Sequence, residues 1–189
     1  NKNNKVPKLR FKEFTNEWKK TTFETSVSLS KEKYNPSKNT KSEIDLEMDS
    51  IESITGKLIA KYDSLEFKSI KNVFTGNSVL YGKLNPYLRK YYKPNFTGVC
   101  SSEFWVLNPI KITQSFLYHF VTTDNFNIQT NKTCGTSMPR ADWDVIKGSN
   151  IYYPTNEEQV KIGSFLDLID SKIRIVDSKI STLKKYKKG

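Results

Sequence analysis

The chain has 189 residues, 36% of them hydrophobic, and a formal net charge of +11, which suits one ordinary folded domain with an appendage and argues against two full domains. A pI near 9.5 gives it a positive field that attracts polyanions such as nucleic acid or an acidic membrane surface. No apolar run approaches the roughly 20 residues of a membrane span, and Cys100 and Cys134, with no CxxC spacing and no secretory apolar segment, read as free thiols of a reducing cytoplasm.

The charge is uneven. Residues 1–41 hold eleven Lys/Arg against four Asp/Glu, and residues 157–189 hold eight against five. Glu43, Asp45, Glu47, Asp49 and Glu52 form an acidic run with no interleaved base, expected to face away from a polyanion.

Up to about Asn16 the chain reads as an extended basic lead-in, with Leu9 and Phe11 alternating after Pro7, and Trp18 and Phe23 anchoring it to the core. Residues 30–42, rich in Lys, Asn and Ser with Pro36, have loop chemistry. The period-two order from Glu43 to Met48 predicts a strand buried on one face. Strands are also predicted over residues 79–82 and 99–107, the second aromatic and β-branched and stopped by Asn108-Pro109. Residues 114–122 and 124–130 predict short helices, and 139–147 a third, with Pro139 at its start and Gly148 past its end. A last short strand occupies residues 151–153. Strands and short helices mixed in this way predict an α+β fold, with a mixed-sheet globular domain over residues 1–154.

Residues 155–189 carry the clearest pattern in the sequence. Ile162, Leu166, Ile169, Ile173, Val176, Ile180 and Leu183 recur at spacings 4, 3, 4, 3, 4, 3, an unbroken heptad seam that requires a partner helix. Thr155 and Glu158 have the spacing of a capping box at its start. From Asn156 to Tyr186 such a helix runs about 45 Å at 1.5 Å per residue, long enough to project beyond the domain.

Catalytic chemistry is sparse. The single histidine, His119, lies on an apolar helix, where it reads as a core or boundary imidazole, and neither cysteine has a local base. No GxGxxG or P-loop offers a cofactor cradle. Asn85-Pro86-Tyr87 approaches the Asn-Pro-Pro-aromatic motif of amino-methyltransferases but lacks the second proline, and Glu66-x-Lys68 lacks the upstream Pro-Asp of a metal-dependent nuclease. No catalytic residue, cofactor or metal site is expected.

Two stretches suit nucleic acid instead. Residues 81–93, YGKLNPYLRKYYK, interleave Lys83, Arg89, Lys90 and Lys93 with four tyrosines: cations neutralise phosphate while rings and hydroxyls reach sugar and base edges. The same pattern also suits a basic turn with core tyrosines. Residues 135–140, GTSMPR, form a small-residue loop opening toward a helix, which presents N–H and hydroxyl donors to an anion or simply caps the helix.

VPKLRF at 6–11, LYGKLNPYLRKYY at 80–92, GVCSSEFWVLNP at 98–109, GTSMPR at 135–140 and IYYPTNEEQVKIGSFLDLIDSKI at 151–173 resemble, in order, the blocks of the specificity subunits of type I restriction-modification systems. The resemblance covers most of the chain and is most specific in the last block. It implies a non-catalytic target recognition domain that binds one half of a split double-stranded DNA site, and a spacer helix packed antiparallel against that of a second specificity half. It further implies methyltransferase (modification) subunits docked on that assembly and restriction subunits joining them. On this reading Lys83, Arg89, Lys90 and Arg140 sit on the phosphate backbone, and Asn85, Tyr87, Thr136 and Ser137 add polar contacts. The bases are read mainly from residues 53–78 and 108–134. A full specificity subunit has two such halves, and one is present here. Two other classes make different predictions: a stand-alone DNA-modifying enzyme would bind S-adenosylmethionine or turn over with a metal, and a coiled-coil scaffold would have no salt-dependent affinity for duplex DNA.

Overall fold

The computed structural model describes residues 7–39, 41–132 and 137–187. In chain order the elements are β1 (Lys19–Thr22), the one-turn helix α1 (Phe23–Ser26), β2 (Val27–Leu29), β3 (Lys33–Tyr34), β4 (Ile44–Leu46), β5 (Tyr62–Asp63), β6 (Lys71–Phe74) and β7 (Val79–Gly82). There follow β8 (Tyr91–Tyr92), β9 (Gly98–Cys100), β10 (Phe104–Pro109), α2 (Gln114–Val121), α3 (Asp124–Thr130), α4 (Trp143–Lys147), β11 (Asn150–Tyr153) and α5 (Asn156–Tyr186). They make an α+β fold with three sheets, ordered β1-β11, β2-β10-β7-β8 and β3-β6-β9-β4-β5.

The central strands β7 and β10 are buried on both faces, and the alternation of side chains along them feeds two cores. Val79, Tyr81, Trp105 and Leu107 point into the larger core, closed by Phe23, Leu117, Phe126 and Ile146. Leu80, Phe104 and Val106 point the other way, onto Leu46, Ile51 and Phe74. Trp18 packs partly buried against the first core and Phe23 lies within it, so the lead-in is anchored where the sequence places its anchors.

The expected strand over 99–107 divides into β9 and β10, which belong to different sheets. Ser101-Ser102-Glu103 turns between them: the Ser101 amide donates to Leu46 O at 2.9 Å and the Phe104 amide to Ser101 O at 3.0 Å. Asn108 and Pro109 continue β10 instead of stopping it, and Pro109 lies opposite Val27 at the end of the ladder, where its missing N–H is tolerated.

The strand expected over 43–48 shrinks to β4, and its burial breaks the period-two rule. Leu46 is fully buried as expected, yet Asp45 is also fully buried and Ile44 is 38% exposed. The Lys71 ammonium, from β6, which lies beyond β9 in the same sheet, reaches Asp45 Oδ2 at 2.8 Å, also pairs with Glu47 and lies 4.0 Å over the Phe67 ring. Part of the acidic run is therefore turned inward onto a buried cation rather than outward.

The helix expected over 139–147 begins only at Trp143. Asp142 caps it by accepting from the Asp144 amide at 2.8 Å, while Arg140 pairs in an isolated bridge with Leu84. The long helix α5 has the expected limits, but the capping box does not form: Thr155 makes no side-chain cap bond. Glu158 is drawn away to Arg10, at 2.6 and 2.7 Å, and to Trp18 Nε1 at 3.3 Å.

Candidate nucleic-acid interface and partner helix

The stretch at 81–93 and the described part of the second one, residues 137–140, some 50 residues apart, are brought side by side. Asn85 N donates to Pro139 O and Ala141 N to Lys83 O, each at 2.8 Å, while Lys83 N donates to Glu103 O at 2.9 Å. Arg140 completes the junction with a bidentate pair to Glu103, Nε at 2.9 Å and Nη2 at 3.0 Å. That guanidinium, through its hydrogen bond and its charge, holds the Glu103 carboxyl below the usual range.

Between these anchors Pro86–Leu88 forms a single 3-10 turn, flanked by two left-handed residues, Asn85 at φ 49° and Arg89 at φ 51°. Such conformations cost non-glycine residues of order 1–3 kcal/mol and persist where surrounding contacts impose them. Here the contacts are plain. Arg89 donates to Asp124 Oδ1 at 2.8 Å and to Thr122 O at 2.6 Å, and its carbonyl accepts from Ile54 N at 2.9 Å. Lys90 Nζ donates to Met48 O at 2.6 Å and Ile51 O at 2.8 Å. The turn lifts Tyr87 to 58% exposure, with Met138 at 57% and Arg140 also exposed.

The eight expected contact residues thus separate by geometry. Lys83, Tyr87, Ser137 and Arg140 are partly or largely exposed. Arg89 and Lys90 spend their charge on acceptors within the chain, Arg140 is engaged by Glu103 while remaining exposed, and Asn85 Oδ1 is buried without a partner among the described residues. Thr136 lies outside the described residues.

The helix seam is likewise divided. Ile162 packs against the domain's own core, and Leu166 lines a groove beside it. From Ile169 onward the seam is bare: Ile173 and Val176 are 53% exposed and Leu183 67%. What orients α5 is a set of contacts that pattern alone does not reveal. Asp167 accepts from Lys93 Nζ at 2.6 Å, from Ser115 Oγ at 2.8 Å and pairs with His119 Nε2 at 2.9 Å. Burial pushes the Asp167 carboxyl up, but these three bonds outweigh it and hold it below the usual carboxylate range. His119 is the boundary imidazole expected from its neighbours. Gly163 faces Ser115, and a Cβ on it would lie 2.7 Å from the serine Cβ, so only glycine lets α2 and α5 approach this closely. The signal was present in the sequence as a lone glycine within a heptad pattern.

The chain matches the type I restriction modification DNA specificity domain family over residues 4–185. It belongs to that family. The type I restriction enzyme EcoDI specificity subunit of Escherichia coli is 30% identical over 115 residues, 59% of this chain and 26% of that protein. The crystal structure of the HsdS subunit from Thermoanaerobacter tengcongensis superposes with a TM-score of 0.73 at 22% identity, over 89% of this chain and 46% of that one. A type I specificity subunit from M. genitalium gives 0.61 at 16% identity, over 95% and 46%. The specificity-domain chain therefore spans about a quarter of the curated relative and just under half of each solved relative, and these solved structures share its fold. Membership places it among the DNA specificity domains, which are not catalytic. Among the described residues no helix is long and apolar enough to cross a membrane, and no group of His, Cys, Asp and Glu is arranged to hold a metal.

Proposed function

We propose that this chain reads one half of a bipartite double-stranded DNA site in the cytoplasm and directs a methyltransferase subunit, and with it a restriction subunit, to that site. Residues up to 154 act as the target recognition domain, and α5 pairs with the helix of a second specificity half. The observation that carries this reading is the helix: a 31-residue α5 held to the domain by its first turns and bare along its seam from Ile169 onward. An apolar seam of that length on a basic DNA specificity domain is a surface for another helix.

On the DNA side, Lys83, Tyr87, Thr136, Ser137 and Arg140 lie along the phosphate backbone, while Asn85, Arg89 and Lys90 shape the turn that presents Tyr87. Backbone contacts of this kind fix register without reading sequence. The bases are read from the flanking stretches 53–78 and 108–134.

The test is reconstitution. The purified chain alone should transfer no methyl group to DNA, and transfer should appear when the methyltransferase subunit and a second specificity half are added. Methylation or cleavage by the chain alone would overturn the assignment.

A further inference from the structure

Residues 81–93 hold four tyrosines, and the fold uses three of them inside the domain. Tyr81 stacks on Trp105, and its hydroxyl meets Thr130 Oγ1 at 2.8 Å. Tyr91 is buried and donates to Ile54 O, and Tyr92 leans on Phe96. Tyr87 is the exception: it is 58% exposed and makes no hydrogen bond or ring contact with another described residue.

It has an apolar companion from the second stretch. Leu84 faces Arg140 in an antiparallel bridge and Asn85 N donates to Pro139 O, so Met138 and the Pro86–Leu88 turn leave the bridge at the same end. The turn is fixed by the chain itself: Leu88 N donates to Asn85 O at 2.9 Å and Arg89 N to Pro86 O at 3.0 Å. Pro86 is buried beneath it, and the Arg89 and Lys90 side chains are tied to the carbonyls of Thr122, Met48 and Ile51. Opening a base step costs stacking energy, which an inserted side chain offsets best when it has little freedom of its own to lose. A tyrosine needed only for a hydrogen bond to phosphate would require neither two left-handed neighbours nor an exposed methionine beside it.

We propose that Tyr87, with Met138 beside it, is a wedge that enters one base step of the half-site and kinks the duplex there. The inference rests on the proposed reading of this face as the DNA interface, and adds to it a residue that reads deformability. Lys83, Ser137 and Arg140 hold the backbone, and the Tyr87 ring passes beyond it to stack on the opened base, a contact that every base can make. Sequence then matters through the cost of opening: pyrimidine–purine steps such as TA and CA unstack readily, whereas A-tracts are stiff. The half-site therefore has a flexible step at the wedge, and Tyr87 contributes to specificity without a hydrogen bond to a base.

The experiment uses the full chain assembled with a second specificity half and the methyltransferase subunit, without methyl donor. The probe is a duplex carrying the half-site mapped by methylation, with a fluorescent label on either side of it. Energy transfer should report a kink of about 20–90°, and Tyr87→Phe should keep it. Tyr87→Ala/Met138→Ala should straighten the duplex and weaken binding about tenfold, with an unchanged circular dichroism spectrum. A single mismatch at the step, which lowers the cost of unstacking, should tighten wild-type binding more than that of the double variant. Tight wild-type binding to straight DNA, or the same kink in the double variant, would overturn the wedge alone. So would a Tyr87→Phe variant as impaired as the alanine one, because the hydroxyl would then be the working group. Unchanged affinity in both Lys83→Ala and the double variant would remove the whole face from DNA.

Discussion

Arg10 and Glu158 form a bidentate ion pair, Nε to Oε1 at 2.6 Å and Nη2 to Oε2 at 2.7 Å, across 148 residues of chain. Glu158 is fully buried and Trp18 donates to it as well. The same lead-in segment sets Phe11 edge-on to Phe165 at 5.7 Å, and Glu13 pairs with Lys161. Residues 10–18 are therefore a strap over the base of α5. Arg10→Ala should raise hydrogen exchange in residues 156–165 and lower the melting temperature. Arg10→Lys, which keeps the charge and loses the planar fork, should fall between. Unchanged exchange in both would remove the strap from the account of helix position.

A second ion pair is buried wholly inside the domain. Lys71 is 1% exposed and Asp45 fully buried. Burial lowers the Lys71 ammonium's pKa, but its bonds to Asp45 and Glu47 more than reverse that, and the group stays charged. Lys71→Met strands the Asp45 carboxylate and should destabilise the domain by about 3 to 5 kcal/mol in urea unfolding. Adding Asp45→Leu should restore much of the loss, because the pair's removal costs less than its division. A double variant no more stable than the single would contradict the pairing.

The Asp167 contacts predict a pH dependence with a definite sign. Its folded pKa lies below its ordinary value, so the stability it contributes is fully present above the unfolded aspartate value of about 3.9 and is lost as pH falls through the lower, folded one. Acid titration followed by circular dichroism should show wild type losing stability below about pH 4. Asp167→Asn should be less stable at neutral pH and have a flatter acid limb. Parallel curves for the two proteins would show that this carboxylate does not hold the helix.

Cys100 is fully buried. Burial pushes its thiol up first of all, and the nearby Asp45 and Glu47 push it further in the same direction. With the thiolate suppressed, Cys100 should resist alkylation in the folded Cys134→Ser protein and react fully only in denaturant. Rapid labelling under native conditions would mean that the smaller core, where Cys100 sits with Leu46, Ile51 and Phe74, opens readily.

Periodicity reports which side of an element is apolar, so the limits of α5, and those of α3, were legible from residue spacing alone. It does not report what a distant residue supplies. Asp45 faces inward because Lys71 is there, Glu158 leaves its capping role because Arg10 is there, and Pro139 starts no helix because Asn85 claims its carbonyl. The apolar run at 99–107 hid a turn, since Ser101 can bond to Leu46 only when β4 lies alongside. The candidate contacts were likewise found as residue types, while their division into exposed and engaged cations depended on tertiary acceptors at Met48, Ile51, Thr122 and Asp124.

That division predicts a graded response to salt. Lys83→Ala should lower the slope of log affinity against log salt by about 0.9, the loss of one phosphate contact. Lys90→Ala, whose ammonium is bonded to two carbonyls of the chain, should alter the slope less and thermal stability more. Equal slopes for wild type and Lys83→Ala would remove that lysine from the interface.

The central claim is that this chain decides where DNA is modified while another subunit performs the chemistry. The direct measurement is a genome-wide map of methylated sites in cells carrying the complete system, with residues 53–134 of this chain either intact or exchanged for those of a relative. The account predicts that one half of the methylated site changes, that the other half stays, and that the extent of methylation is little altered. An unchanged methylated sequence after the exchange would contradict it.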